Sequence, residues 1–164
     1  KNKMISWENL LRSQAESLAK YNITHVGVNP VVIEGYLFAG FNGWYKSHTP
    51  PSNDLNCMPH SIEGKPTHAY LSDKAYSDLN QLLYSLGNFE YQKAVCLTHF
   101  PPFVNNEHYA EMCANPRYLE IIKENFQVLV VGHSHQTQDF MDESLRILNA
   151  GAEYNEPRFI IVDI

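Results

Sequence analysis

The sequence predicts a mixed α/β fold (α/β or α+β) in one block, and three observations carry that reading. Apolar residues recur at helical spacing in three stretches, short β-prone runs stand between them, and Gly or Pro punctuates several of the joins. The 164 residues are 44% hydrophobic and 18% charged, with ten Tyr, eight Phe and two Trp, which suffices for one sizeable core and excludes disorder.

Ser6 can accept from the free N–H groups of a first helical turn, and Leu10, Leu11, Ala15, Leu18 and Ala19 make one apolar face, so a helix is expected to about residue 20. The runs starting at Val31 and Tyr36 are separated by Glu34-Gly35, the length that closes a β-hairpin. From Asn42 to about Tyr70 periodicity fails among Pro50, Pro51, Pro59, Pro66, His48, His60 and His68, so residues 42–70 read as a long functional loop. Ser72 then caps a helix with Ala75, Leu79, Leu82, Leu83 and Leu86 on its buried face and Gly87 as its stop.

Ala94 to Thr98 is a short apolar strand, ended by Pro101-Pro102. Pro116 opens a further helix carrying Leu119, Ile121, Ile122 and Phe126. Val128 to Val131 is apolar throughout, as a strand covered on both faces requires. Arg146 to Asn149 and Arg158 to Ile164 read as two more strands, the second with Phe159 and Ile161 on one side. No internal repeat or low-complexity tract occurs.

The net charge of -6 and the lack of a basic stripe disfavour nucleic-acid binding. No apolar run approaches the roughly 20 residues a membrane span needs. The three cysteines, Cys57, Cys96 and Cys113, share no metal-ligand spacing, and their odd number suits a reducing compartment, with the cytoplasm as the default.

Histidines mark the candidate site. His133 and His135 stand in Gly132-His133-Ser134-His135, directly after the most apolar strand, and His99 ends another strand in Thr98-His99-Phe100-Pro101-Pro102. Imidazoles at the carboxyl ends of two strands are placed as metal ligands would be. Trp44, Tyr45, His48, His60 and His68 in the long loop can line a substrate pocket, with aromatic faces for a base or sugar and imidazoles for phosphate oxygens, and His108, with Glu107 and Tyr109, can reach its mouth. His25 reads as structural, Asp139 and Asp142 as residues of a solvated turn, and Ser134 lacks the dedicated base a nucleophile needs.

These blocks resemble the calcineurin-like metallophosphoesterases. Thr98-His99-Phe100-Pro101 is similar to the family's T-H-x-P block, Gly132-His133-Ser134-His135 to its G-H-x-H block, Asn149-Ala150-Gly151 to its N-x-G turn, and Gly40-Phe41-Asn42-Gly43-Trp44 to a glycine-rich segment upstream. The resemblance runs from about Leu10 to Ile164 and implies a metallophosphoesterase-type β-sandwich flanked by helices, apparently lacking its N-terminal part. It further implies a hydrolase, phosphatase or phosphodiesterase, with two divalent ions (Mn, Fe, Zn or Ni) and a bridging hydroxide that attacks phosphorus.

By the family's pattern His99 and His133 bind one ion and His135 the other. Its Asp-x-His, Gly-Asp and Gly-Asn-His blocks are absent between Lys1 and Phe41, so those ligands are expected upstream of residue 1, or from another chain. Two alternatives stay open: a non-catalytic binding or scaffolding module with a degenerate site, and a mononuclear zinc hydrolase using the three histidines alone. The aromatic loop and acidic surface favour a small or nucleotide-like phosphate ester as substrate.

Overall fold

The computed structural model of the chain describes residues 7–45, 60–103, 116–152 and 156–163. Three helices and eight strands are described, with six of the strands in one mixed sheet. Helix α1 (Trp7–Ala19) buries Ala15, half-buries Leu11 and Leu18, and leaves Leu10 and Ala19 exposed, so its apolar face is narrower than the sequence predicts.

The first hairpin forms as expected. β1 (Val31–Ile33) and β2 (Tyr36–Phe41) pair antiparallel with Ile33 opposite Tyr36. Glu34 and Gly35 both take positive φ (51° and 85°), the handedness that matches the twist of the flanking strands.

Residues 60–70 are more regular than expected. A second two-residue turn, Glu63-Gly64, joins β3 (Ser61–Ile62) to β4 (Lys65–Pro66), and α2 (Thr67–Leu86) starts directly after Pro66, not at Ser72. Pro66 lacks an N–H and cannot continue a helix backwards, which sets the start. The Thr67 N–H donates to the His60 carbonyl (3.2 Å), and Lys65 pairs with Asp73 across the junction. Thr67, Leu71, Ala75, Leu79, Leu82 and Leu86 form the buried stripe.

Gly87 ends α2 as expected, but with φ -63° and open space where a Cβ would stand. A Gly87→Ala substitution therefore stabilises the fold by roughly 0.4–1 kcal/mol, since it only restricts the unfolded chain. Urea denaturation measures this as a raised midpoint at constant slope.

β5 (Lys93–Thr98), α3 (Arg117–Asn125) and β6 (Val128–Val131) follow as predicted. α3 buries Tyr118 and Ile122, with Phe126 1% exposed at its end, whereas Leu119 and Ile121 are only partly buried.

The sequence reading missed β7 (Gln138–Asp142), which pairs antiparallel with β8 (Leu145–Asn149). Asp139 and Asp142, expected on a turn, lie on this exposed edge strand. Both Asp139 oxygens accept from Arg146 at 2.9 Å, and Asp142 pairs with Lys123 at 3.1 Å. The Arg146 guanidinium holds the Asp139 carboxyl below its usual value, so that pair stabilises above about pH 4 and is lost on further acidification. Charges on an edge strand also oppose pairing with a foreign strand.

Residues 158–163 form no strand. Their alternation is real: Phe159 (83%) and Ile161 (89%) are exposed, while Ile160 and Val162 pack towards Val95, Val128 and Leu148.

The sheet order is β1-β2-β5-β6-β8-β7, with β2, β5, β6 and β8 parallel and the two edge strands antiparallel. Helices α2 and α3 cover one face, packing on Leu37, Ala39, Cys96, Leu129 and Ile147. Cys96 is fully buried there, and burial pushes its thiol pKa up; Cys57 and Cys113 lie outside the described residues.

The opposite face buries Val95, Val128 and Leu148, with Phe38, Leu97 and Val130 partly buried around them. The described residues contain no second sheet packed on it, as the expected sandwich would have; the separate two-stranded hairpin is β3-β4. No described helix is long and apolar enough to cross a membrane.

Candidate functional site

Four parallel strands deliver their carboxyl ends to one edge. Phe41 of β2 pairs with Thr98 of β5, Thr98 pairs with Val131 of β6, and Val130 pairs with Leu148 of β8. The segments leaving this edge are 42–45, 99–103, 132–137 and 150–152, so every described block of the resemblance meets here. Carboxyl edges of parallel strands are where open α/β sheets bind ligands.

Hydrogen bonds to backbone carbonyls tie the segments together. The Gly132 N–H donates to the His99 carbonyl (3.1 Å), and Thr98 Oγ1 donates to the Asn42 carbonyl (3.2 Å). The Ser134 N–H reaches back to the Gly132 carbonyl (2.7 Å) around His133, whose φ is 63°. That is the rare, strained form of the three-residue turn. His135 also sits at positive φ (53°), so both histidines of the block occupy a conformation that costs energy, a condition concentrated at functional sites.

Asn149 braces this turn. It is 3% exposed, its amide donates to Ser134 Oγ (2.9 Å) and more weakly to the Gly132 carbonyl (3.4 Å), and its Oδ1 accepts from the Gly151 N–H (2.9 Å). Ser134 is thereby buried and engaged, in keeping with a structural hydroxyl. An Asn149→Ala substitution strands these partners and costs about 2 kcal/mol, read as a lower urea midpoint.

His99 and His133 come together: His99 Nε2 lies 3.0 Å from His133 Nδ1. His99 is exposed and His133 half-buried, so the pair faces solvent. Two imidazole nitrogens bound to one ion at about 2.0–2.1 Å stand roughly 3 Å apart, so the pair fits as two ligands of a single metal. His135 is half-buried in the same turn. Among the described residues no group of three or more His, Cys, Asp or Glu can hold a metal ion, so a site built from the three imidazoles alone is not assembled.

Trp44 and Tyr45 are near the pair but buried, at 5% and 2% exposure. Their rings pack edge-on with each other (5.1 Å) and with Phe100 (5.6 and 4.7 Å), and Phe100 in turn lies 4.5 Å from the His133 ring. They support the histidines from beneath, where the sequence reading had them stacking on a base or sugar. Of the other expected substrate residues, His48 and His108 lie outside the described residues, as do Glu107 and Tyr109, while His60 is exposed just before β3 and His68 is half-buried in the first turn of α2.

A cleft of about 850 Å³ opens beside His99 and Gly132 and extends past Leu97, Val130 and Asn42 to α1 and α2. His25, read as structural, lines it with its buried Nδ1 unpartnered, alongside Arg12 and the Lys74–Asp78 ion pair. Sequence gave no signal for these, because they are brought together from a loop and the faces of two separate helices.

No protein-family model matches the chain, and no curated protein matches it. A solved crystal structure matches with a TM-score of 0.54 at 15% identity, over 88% of this chain and 52% of that one. The chain thus spans about half the length of the structure it matches. At that identity the likeness shows the fold alone, a mixed α/β architecture shared with a longer protein.

Proposed function

We propose that this chain carries part of a metal-dependent phosphoester-hydrolysing site of the metallophosphoesterase kind. The observation that supports it most is the His99–His133 pair, its nitrogens 3.0 Å apart at the carboxyl edge of the parallel strands. The order of the blocks, each ending a strand at that edge, supports the same reading.

His99 Nε2 and His133 Nδ1 would hold one divalent ion, and His135 would serve a second. Such ions supply Lewis acidity and a water acidic enough to attack at neutral pH. The chain's own part is positional. Strand ends fix the imidazoles, the Asn149 brace holds the turn, and Phe100 with Tyr45 excludes water from beneath the His133 ring. Neutral imidazoles cannot balance two divalent charges, so acidic ligands come from outside the described residues.

The substrate on this reading is a small or nucleotide-like phosphate ester, entering by the cleft beside His99. The test is metal analysis of the full-length protein together with hydrolysis of a chromogenic phosphodiester. Bound divalent metal and metal-dependent turnover are expected. A protein that binds no metal and shows no turnover is instead a binding or scaffolding module built on the same fold.

A further inference from the structure

His133 is gripped at both ring nitrogens. Its Nδ1 faces His99 Nε2 at 3.0 Å, and its Nε2 faces the Tyr45 hydroxyl at 3.4 Å. The second contact is long, but the groups making it have little freedom. The Tyr45 ring is 2% exposed and locked between Trp44 and Phe100, and the His133 ring packs against Phe100 (4.5 Å), His99 (4.9 Å) and Tyr45 (5.7 Å).

A neutral imidazole carries its proton on one nitrogen only, and the partner of one nitrogen decides the state of the other. We infer that Tyr45 is a positioning residue: its hydroxyl oxygen accepts from Nε2–H of His133 and so keeps the Nδ1 lone pair turned towards His99, ready for a metal ion. Ligating histidines commonly donate their second N–H to a carboxylate, backbone carbonyl or water, a place the Tyr45 hydroxyl would take here, and losing such a partner weakens metal binding about 10–100-fold. The metal half of this inference rests on the function proposed above; the tautomer half does not.

Tyr45→Phe removes the hydroxyl and keeps the ring. Nitrogen-15 NMR of the imidazoles in the metal-free protein is expected to show His133 protonated at Nε2 in the parent and as a tautomer mixture in Tyr45→Phe. Titration with Zn²⁺ alone is expected to give a dissociation constant about tenfold weaker in Tyr45→Phe. Leu79→Ala, a cavity in α2 away from this edge, controls for lost stability and is expected to leave the His133 tautomer unchanged.

An unaltered His133 tautomer in Tyr45→Phe overturns the inference. So does an equal loss of zinc affinity in Tyr45→Phe and Leu79→Ala. If the tautomer responds and the parent binds no zinc, Tyr45 keeps its positioning role and the proposed metal function falls.

Discussion

On the proposed function, replacing His99 by alanine is expected to lower phosphoester hydrolysis by the full-length protein more than about a hundredfold, because loss of a ligand would exceed the 10–100-fold cost of losing a ligand's partner. The fold should be spared. The His99 ring is exposed, and the bond that ties its segment to β6 uses the backbone carbonyl, which accepts from the Gly132 N–H and survives the substitution. Phe100, buried behind it, still supports His133. Activity should therefore collapse while the unfolding free energy from urea denaturation stays within about 0.5 kcal/mol of the parent, as for surface substitutions generally. Turnover that stays within a few-fold of the parent would remove the pair from the chemistry.

Gly151→Ala is expected to be the most damaging single methyl addition at the site edge. Gly151 has φ +68°, and a Cβ there would run into the Thr137 nitrogen and lie 2.6 Å from the Gln136 carbonyl carbon, both backbone atoms that cannot rotate aside. The left-handed conformation alone costs a side-chain-bearing residue roughly 1–2 kcal/mol, and the collision raises the total to about 3–5 kcal/mol. Gly64→Ala separates the two contributions. Its φ is +79° with nothing within 4 Å, so it should lose only the conformational part. Urea denaturation of the two variants side by side tests this; equal losses would mean that residues 136–137 yield freely. If they are displaced as expected, His135 moves with them, and on the proposed function metal affinity is lost as well.

The parts of the fold legible in the sequence were those with a local cause. The Glu34-Gly35 turn, the apolar run from Val128 and the helices begun near Ser6 and Pro116 each follow from nearby residues. β7 was not legible. All five of its residues are polar or exposed, its turn lacks the Asn-Gly or Asp-Gly signal, and its pairing is decided by β8, including Arg146. The segment 158–163 failed in the opposite way: its alternation is correct, but which side faces inward depends on Val95, Val128 and Leu148, which lie far away in sequence.

At the site, His99 and His133 were legible as imidazoles ending strands, because strand ends are local features. The role of Tyr45 was not. An aromatic residue after a glycine reads equally as a platform for substrate or as packing, and only its burial against Phe100 and His133 separates the two. Asn149 was legible as part of a motif, while its bond to Ser134 needed the turn and the strand in contact.

The parallel arrangement of β2, β5, β6 and β8 also bears on how the molecule forms. Asn149 and Ser134 are 15 residues apart, His99 and His133 are 34 apart, and Tyr45 and His133 are 88 apart. Loop closure grows costlier with separation, and parallel pairing cannot begin from a tight turn. The brace around Gly132 can thus close early, whereas Tyr45 reaches His133 only after both helical crossovers have packed. During refolding, the strands should therefore align before Tyr45 orients the His133 ring, so the Tyr45–His133 contact should form later than the β-structure.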